Sequence, residues 1–178
     1  MERRNKKLVE ERERLNQAPN IIVHGVQEID ARGKDEEKKH TNEYITALFA
    51  KIGAEVQHKS AVRLGEKKSG KTRPIKVTLS SEEEKFKVFS YLKHLKGCEE
   101  YKNVSLTHDY TVAERKLIKA KSDEAKSINQ TLPDDCDYVM QVRGNPKNGL
   151  ILVRKYRKKN VASTTTHQKI KLRKIPKK

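Results

Sequence analysis

Apolar positions between residues 20 and 109 alternate between short strand-like runs and helical stripes. Strand-like runs lie at 21–26, 56–64, 74–79 and 104–107, and helical spacing recurs at 44–52 and 86–95. Gly53 closes the first stripe, and Ser81 with Glu84 opens the second as a capping box. The pattern predicts the order βαββαβ, with four antiparallel strands, two helices on one face and a free opposite face.

The chain changes pattern after residue 110. Thr111 and Glu114 form a second capping box, which predicts a helix of about twenty residues that ends before Pro133. Two apolar runs then flank Asn148-Gly149, a dipeptide that favours a tight hairpin turn. A helix followed by a β-hairpin is therefore expected.

The two ends differ from the middle in composition. Residues 1–17 favour a helix, and Leu8 and Leu15 lie one heptad apart, so a solvated helix and a coiled-coil remnant that joins copies of the chain both stay open. The C-terminal end is basic, has few apolar residues and is expected to be disordered. The expected organisation is an N-terminal helix at 1–18, the sheet domain at 19–110, the helix and hairpin at 111–159, and the tail at 160–178.

Charge points to the class of partner. The chain has 41 Lys and Arg against 24 Asp and Glu, a formal net charge of +17, and residues 154–178 contribute eleven cations and no acid. This excess predicts a polyanionic partner, single-stranded RNA or DNA. The tail is interpreted either as an arm along the phosphate backbone or as a nuclear-targeting signal, and the two do not exclude each other.

Several function classes are not expected. No apolar run is long enough for a membrane span, and the first residues lack the apolar stretch of a signal peptide. Cys98 and Cys136 lack metal-ligand spacing, and the six histidines are scattered, so no metal and no cofactor is predicted. The pairs Asp134-Asp135 and His108-Asp109 are more typical of turns and helix starts than of acid–base catalysis. We expect an intracellular protein that is not an enzyme.

Two groups of basic residues form the predicted nucleic-acid-binding site. The first group surrounds the turn between the second and third strands and comprises Arg63, Lys67, Lys68, Lys71, Arg73 and Lys76. The second lies on the hairpin and comprises Arg143, Arg154, Lys155, Arg157 and Lys158. Phosphate contacts from such residues give affinity with little sequence specificity. An ordinary solvated hairpin tip is the alternative for the first group, and Tyr138 and Tyr156 serve either to stack a base or to pack the hairpin.

The predicted sheet is typical of an RNA-recognition-motif-like (RRM-like) domain, in which aromatic side chains of the central strands usually stack bases. Here the first strand offers Ile21 and Val23, and the third offers Ile75 and Val77. Base stacking on this sheet in the usual way is therefore not expected. The expected fold class is α+β: an RRM-like split βαβ sandwich followed by a helix and a β-hairpin, with a short N-terminal helix and a disordered basic tail.

The motifs together resemble a known family, the RNA-binding protein encoded by the first open reading frame of LINE-type (non-LTR) retrotransposons, particularly the invertebrate versions. The resemblance covers about 20–159 and rests on NIIVHGV at 20–26, VRLG at 62–65, RPIKVTLS at 73–80, LKG at 95–97, VSLTHDYTVAER at 104–115 and VRGNPKNGL at 142–150. It implies a nucleic-acid chaperone that coats its own RNA, in a cytoplasmic ribonucleoprotein or in the nucleus. It also implies an oligomerising coiled coil, an RRM that does not stack bases and a C-terminal domain that clamps RNA.

The chain departs from this family in its short N-terminal helix and its small C-terminal part, so a fragment, a degenerate copy and a domesticated copy stay open. The leading hypothesis is a sequence-tolerant single-stranded RNA-binding protein, which could form homo-oligomers through the N-terminal helix. The alternative is a non-catalytic protein-interaction module with an RRM-like fold and a nuclear-targeting tail.

Overall fold

The computed structural model describes residues 2–157, with side chains from residue 4 onward. Lys158 and the tail expected at 160–178 lie outside the described residues. The protein is α+β, as predicted, with helices and two antiparallel sheets. Its helices are α1 (Glu2–Gln17), α2 (Lys34–Ile52), α3 (Glu82–Tyr91) and α4 (Val112–Thr131), and its strands are β1 (Asn20–His24), β2 (His58–Arg63), β3 (Ile75–Leu79), β4 (Ser105–His108), β5 (Tyr138–Asn145) and β6 (Gly149–Tyr156).

Contacts divide the chain into two compact units, which are described separately. The first runs from Met1 to Leu117 and the second from Ile118 to Lys178. The division falls within α4. The N-terminal helix and the four-stranded sheet both belong to the first unit.

The first unit contains a four-stranded sheet with the spatial order β2-β3-β1-β4, in which every neighbouring pair is antiparallel. Ile21 pairs with Val77, and Val77 pairs with Ala61, so these three side chains lie in one row on one face. All three are buried. The order of strands and helices is the βαββαβ order that the sequence predicts.

Helix α2 covers the buried face of the sheet. Its Ile45, Leu48 and Phe49 are almost fully buried, as their three- and four-residue spacing predicts. Gly53 ends the helix in the left-handed region, at φ +76°, and its N–H donates to the Ala50 carbonyl at 3.0 Å. The predicted glycine cap is confirmed.

Helix α3 presents a different face to the core than its sequence stripe indicates. Val88 is fully buried, but Phe86, counted as part of the stripe, is 57% exposed. Residues two apart on a helix point to nearly opposite sides, so burial of Val88 turns Phe86 outward. Lys85, three residues before Val88, is buried instead and donates to the Ala18 carbonyl.

The capping box of α4 is formed in both directions. The Glu114 N–H donates to Thr111 Oγ1 at 3.2 Å, and the Thr111 N–H donates to Glu114 Oε2 at 3.0 Å. Arg14 of α1 donates from Nε to Glu114 Oε1 at 2.7 Å. The side chain that caps α4 therefore also ties α1 to the first unit.

The second unit contains the predicted hairpin, and its turn is closed by a hydrogen bond from the Asn148 N–H to the Asn145 carbonyl at 3.0 Å. Gly144 has φ +103°, and a Cβ there would lie 2.3 Å from the Gly149 carbonyl oxygen, so no other residue fits. The side-chain amide of Asn129 in α4 pairs with both backbone groups of Met140: Nδ2 donates to the carbonyl at 3.0 Å, and Oδ1 accepts from the N–H at 2.6 Å. Asn129 thus satisfies the backbone N–H and carbonyl groups of Met140 in β5.

Candidate nucleic-acid interface

The sheet face opposite the helices is polar and aliphatic. In the register, Ile22 of β1 lies between Lys76 of β3 and Thr107 of β4, and Lys76 is followed by Val62 of β2. The four strands contain no phenylalanine, tyrosine or tryptophan on this face. The expectation that bases do not stack here in the usual way stays a prediction. The residues used for that expectation were wrong, because Ile21, Val23, Ile75 and Val77 alternate toward the helices and are fully buried.

Arg63 is inside the fold rather than at the predicted interface. Its side chain is only 2% exposed. The guanidinium donates to the Gln27 carbonyl at 2.6 Å and the Val26 carbonyl at 3.2 Å, and it lies 3.3 Å from Glu28 Oε1. A phosphate cannot reach it while the loop after β1 keeps this position, so we correct its role from phosphate contact to support of that loop.

The guanidinium of Arg73 is also engaged by carboxylates of the protein itself. It makes a two-pronged ion pair with Glu28, from Nε to Oε1 at 3.1 Å and from Nη2 to Oε2 at 2.9 Å, and its Nη2 also pairs with Glu37 of α2. The hydrogen bonds from Arg73 lower the pKa of Glu28 to about 2, and the same contacts raise the pKa of Arg73. We therefore correct Arg73 from phosphate contact to structural ion pair.

The lysines of the first group remain near the surface. Lys67 donates to the Ile29 carbonyl at 2.9 Å and to Asp30 at 3.0 Å, an exposed pair that water and salt weaken. Lys68, Lys71 and Lys76 have no ion-pair partner within residues 2–157. The segment 63–73 has five cations. Three acids from other segments pair with them, Glu28, Asp30 and Glu37, and a fourth acid, Glu66, lies within the segment.

The β5–β6 hairpin has cations but no acids of its own to pair with them. Between residues 138 and 157 there are five cations and no acid. Arg143, Lys155 and Arg157 are exposed, and none has an ion-pair partner in the part of the chain that is described. The nearest acids in sequence, Asp134, Asp135 and Asp137, precede β5. The hairpin therefore presents exposed cations that no acid among the described residues neutralises.

Strand register groups the hairpin side chains on two faces. Tyr138 pairs with Tyr156 and Met140 pairs with Arg154, so the two rings and Arg154 share one face. The ring centroids of the tyrosines are 6.1 Å apart, and the Arg154 guanidinium carbon is 4.8 Å from the centroid of Tyr138. In the sequence analysis the two tyrosines are named together and Arg154 apart from them. Their pairing could have been found by counting from the turn, because positions equidistant from Lys147 face each other.

Glu28 is the partner of Arg63 and Arg73 that the sequence analysis did not identify. It lies in the polar stretch after β1 and organises both Arg63 and Arg73, which follow it by 35 and 45 positions. No local motif signals this contact, since only folding brings these residues together.

Helices α1 and α4 expose apolar side chains in the first unit. Leu8, Val9 and Leu15 of α1 are each more than half exposed, as is Val112 at the start of α4. Val9 and Val112 line a groove of about 450 Å³. The heptad-spaced leucines are therefore left exposed by the residues that the structure describes, and a contact between copies through α1 stays a prediction.

The candidate acid–base pair in the first unit has structural contacts. His108 stacks on Phe89 with ring centroids 4.4 Å apart, and Asp109 accepts a hydrogen bond from Asn20 Nδ2 at 2.9 Å. Burial lowers the pKa of His108. Among residues 2–157, no three His, Cys, Asp or Glu side chains are grouped to hold a metal ion.

No helix in the described part is long and apolar enough to cross a membrane. No protein-family model matches the chain, and no curated protein is significantly similar to it.

Proposed function

We propose that this protein binds single-stranded RNA, or single-stranded DNA, without strong sequence preference, and that the β5–β6 hairpin supplies its main phosphate contacts. In this proposal the first unit is an RRM-like domain whose sheet does not stack bases. The protein is a nucleic-acid chaperone of the retrotransposon type that the sequence motifs resemble, and it is not an enzyme.

The observation that carries the proposal is the excess of cations on the hairpin. Its five cations meet no acid between residues 138 and 157, and Arg143, Lys155 and Arg157 are exposed and unpaired within the described range. Unpaired cations bind phosphates without first breaking an internal ion pair, and the counterions released from the nucleic acid favour binding. Such contacts read no bases, which supports sequence tolerance.

The turn lysines of the first unit are a second proposed group of phosphate contacts. Lys68, Lys71 and Lys76 have no ion-pair partner among residues 2–157, and Lys76 lies on the sheet face opposite α2. Lys67 joins them when its exposed pair with Asp30 opens. These four residues are the part of the first predicted group that we retain.

The test is a titration of the full chain with a labelled single-stranded oligoribonucleotide over a series of salt concentrations. We expect the logarithm of the association constant to fall linearly with the logarithm of the salt concentration, by about 0.7 for each phosphate contact. We also expect similar affinities for strands of different sequence. Binding that is insensitive to salt, or no binding at low salt, would contradict the proposal.

A second function is favoured by a separate observation, the exposed apolar side chains Leu8, Val9, Leu15 and Val112. Apolar side chains gathered on a surface favour contacts with a protein. Under this alternative the protein is a non-catalytic interaction module with an RRM-like fold and a nuclear-targeting tail. The salt titration separates the two, because only the first function requires steep loss of RNA affinity with salt.

A further inference from the structure

The hairpin carries a second feature besides its charge, a pair of tyrosines beside an arginine. Building on the proposed function, we infer that Tyr156 and Arg154 form a stacking site for an unpaired nucleobase, with Tyr138 as the support behind them. The ligand class is thereby narrowed from any polyanion to a single strand whose bases are free to stack.

The Tyr156 ring contacts the Tyr138 ring and still remains exposed to solvent. It faces Tyr138 directly across the strands, with ring planes at 66° in an edge-to-face contact. It remains 63% exposed despite this contact. A ring that is already oriented loses little conformational entropy when a base stacks on it, so this geometry favours binding.

Arg154 supplies the phosphate contact of the same site. Its guanidinium lies over the Tyr138 ring, a cation–π contact with a distance of 4.8 Å to the ring centroid. It precedes Tyr156 by two residues, so both side chains lie on one face about 7 Å apart along the strand. No carboxylate pairs with Arg154 within residues 2–157. The phosphate of a nucleotide stacked on Tyr156 can therefore pair with it.

The other face of the hairpin has no ring. Ile151 is 58% exposed there, nearly as much as Tyr156, and pairs with Arg143 across the strands. This face offers charge but no aromatic surface. Stacking is therefore restricted to the tyrosine face, and Ile151 is a matched control position.

The experiment uses the absence of tryptophan from the chain. A Tyr156→Trp variant of the full chain places one fluorophore at the site and keeps an aromatic ring for stacking. Saturation with oligouridylate, followed in parallel by anisotropy of a labelled strand, should quench the emission of this variant. The Ile151→Trp variant should bind the same strand with weaker quenching, because no neighbouring ring orients its indole on that face.

A second pair of measurements separates stacking from charge. Tyr156→Ala should weaken binding of oligouridylate by about 5- to 150-fold, the range for loss of one stacked base. The salt dependence should not change, because tyrosine carries no charge. Tyr156→Phe should retain the affinity, and on an abasic strand with the same number of phosphates Tyr156→Ala should have no effect.

Three outcomes would overturn the stacking site while leaving RNA binding intact. They are salt-dependent binding without quenching of the Tyr156→Trp variant, equal quenching of both tryptophan variants, and equal weakening of RNA and abasic strands by Tyr156→Ala. Failure of the unsubstituted chain to bind at low salt would instead overturn the proposed function and the stacking site together.

Discussion

The β2–β3 turn and the β5–β6 hairpin are both basic in sequence, but they use their cations differently. At the turn, Arg63 and Arg73 are bound by the loop after β1 and by Glu28 and Glu37. At the hairpin, Arg143, Lys155 and Arg157 remain exposed and unpaired within the described residues. A cluster of cations in a sequence therefore indicates a binding surface only if no acid from another segment folds against it.

Removal of Arg63 should have the largest effect on stability. Arg63→Ala leaves Glu28 short of a partner and the Gln27 and Val26 carbonyls unsatisfied, which should cost about 3–5 kcal/mol of unfolding free energy. Urea denaturation measures this cost. Lys68→Ala, at a nearby exposed position without an ion-pair partner in the described range, should change stability by only about ±0.5 kcal/mol. Equal urea midpoints for the two variants would show that Arg63 does not stabilise the loop.

Asn129 tests how the hairpin is supported. Asn129→Ala removes both hydrogen bonds to Met140 and should cost about 1–3 kcal/mol, since the edge groups of β5 lose their partners. Hydrogen exchange at the Met140 amide should accelerate. The neighbouring Gln130→Ala is the control, because Gln130 is exposed. Unchanged exchange at Met140 in Asn129→Ala would rule out this support.

Glu28, in the loop after β1, should make stability depend on pH below about pH 5. The pKa of Glu28 is about 2 in the folded protein and near its ordinary 4.5 when unfolded, so the unfolded state binds its proton first as pH falls. The stabilisation is complete above about pH 5 and declines below about pH 4.5 toward pH 2. After allowance for solvent screening, it amounts to about 1–2 kcal/mol.

The measurement is the urea midpoint of the natural chain and of Glu28→Gln at about pH 6 and about pH 3. The natural chain should lose more stability than the variant between these two values, because the variant has no carboxylate to protonate at this position. The same loss in both would assign the acid sensitivity to other groups.

Local signals explain what the sequence predicts well. The stripe of α2, its glycine cap and the capping box of α4 are encoded within a few residues, and the structure contains all three. The hairpin is similarly encoded by its turn and flanking runs. The exposure of Phe86 was missed because two competing helical faces of α3 carry apolar residues, and contact with the sheet selects the one that contains Val88.

The candidate site is harder to predict because it depends on distant partners. Glu28 is 45 positions from Arg73 and 35 from Arg63, and nothing in the intervening sequence pairs them. The exposure of the hairpin cations could be predicted because their surroundings are local and contain no acid. Arg63 and Arg73 could not be distinguished from the free lysines until the loop after β1 was placed.

The most direct test of this difference compares two charge-matched variants in the salt titration with single-stranded RNA. One replaces Arg143, Lys155 and Arg157 by glutamine, and the other replaces Lys67, Lys68 and Lys71. We expect the hairpin variant to reduce the salt slope by about 2, the value for three lost phosphate contacts. The turn variant should reduce it by about 1.4 or less, the value for Lys68 and Lys71 alone, because Lys67 pairs with Asp30. A turn variant that loses as much slope as the hairpin variant, or more, would contradict the assignment of the hairpin as the main phosphate-binding surface.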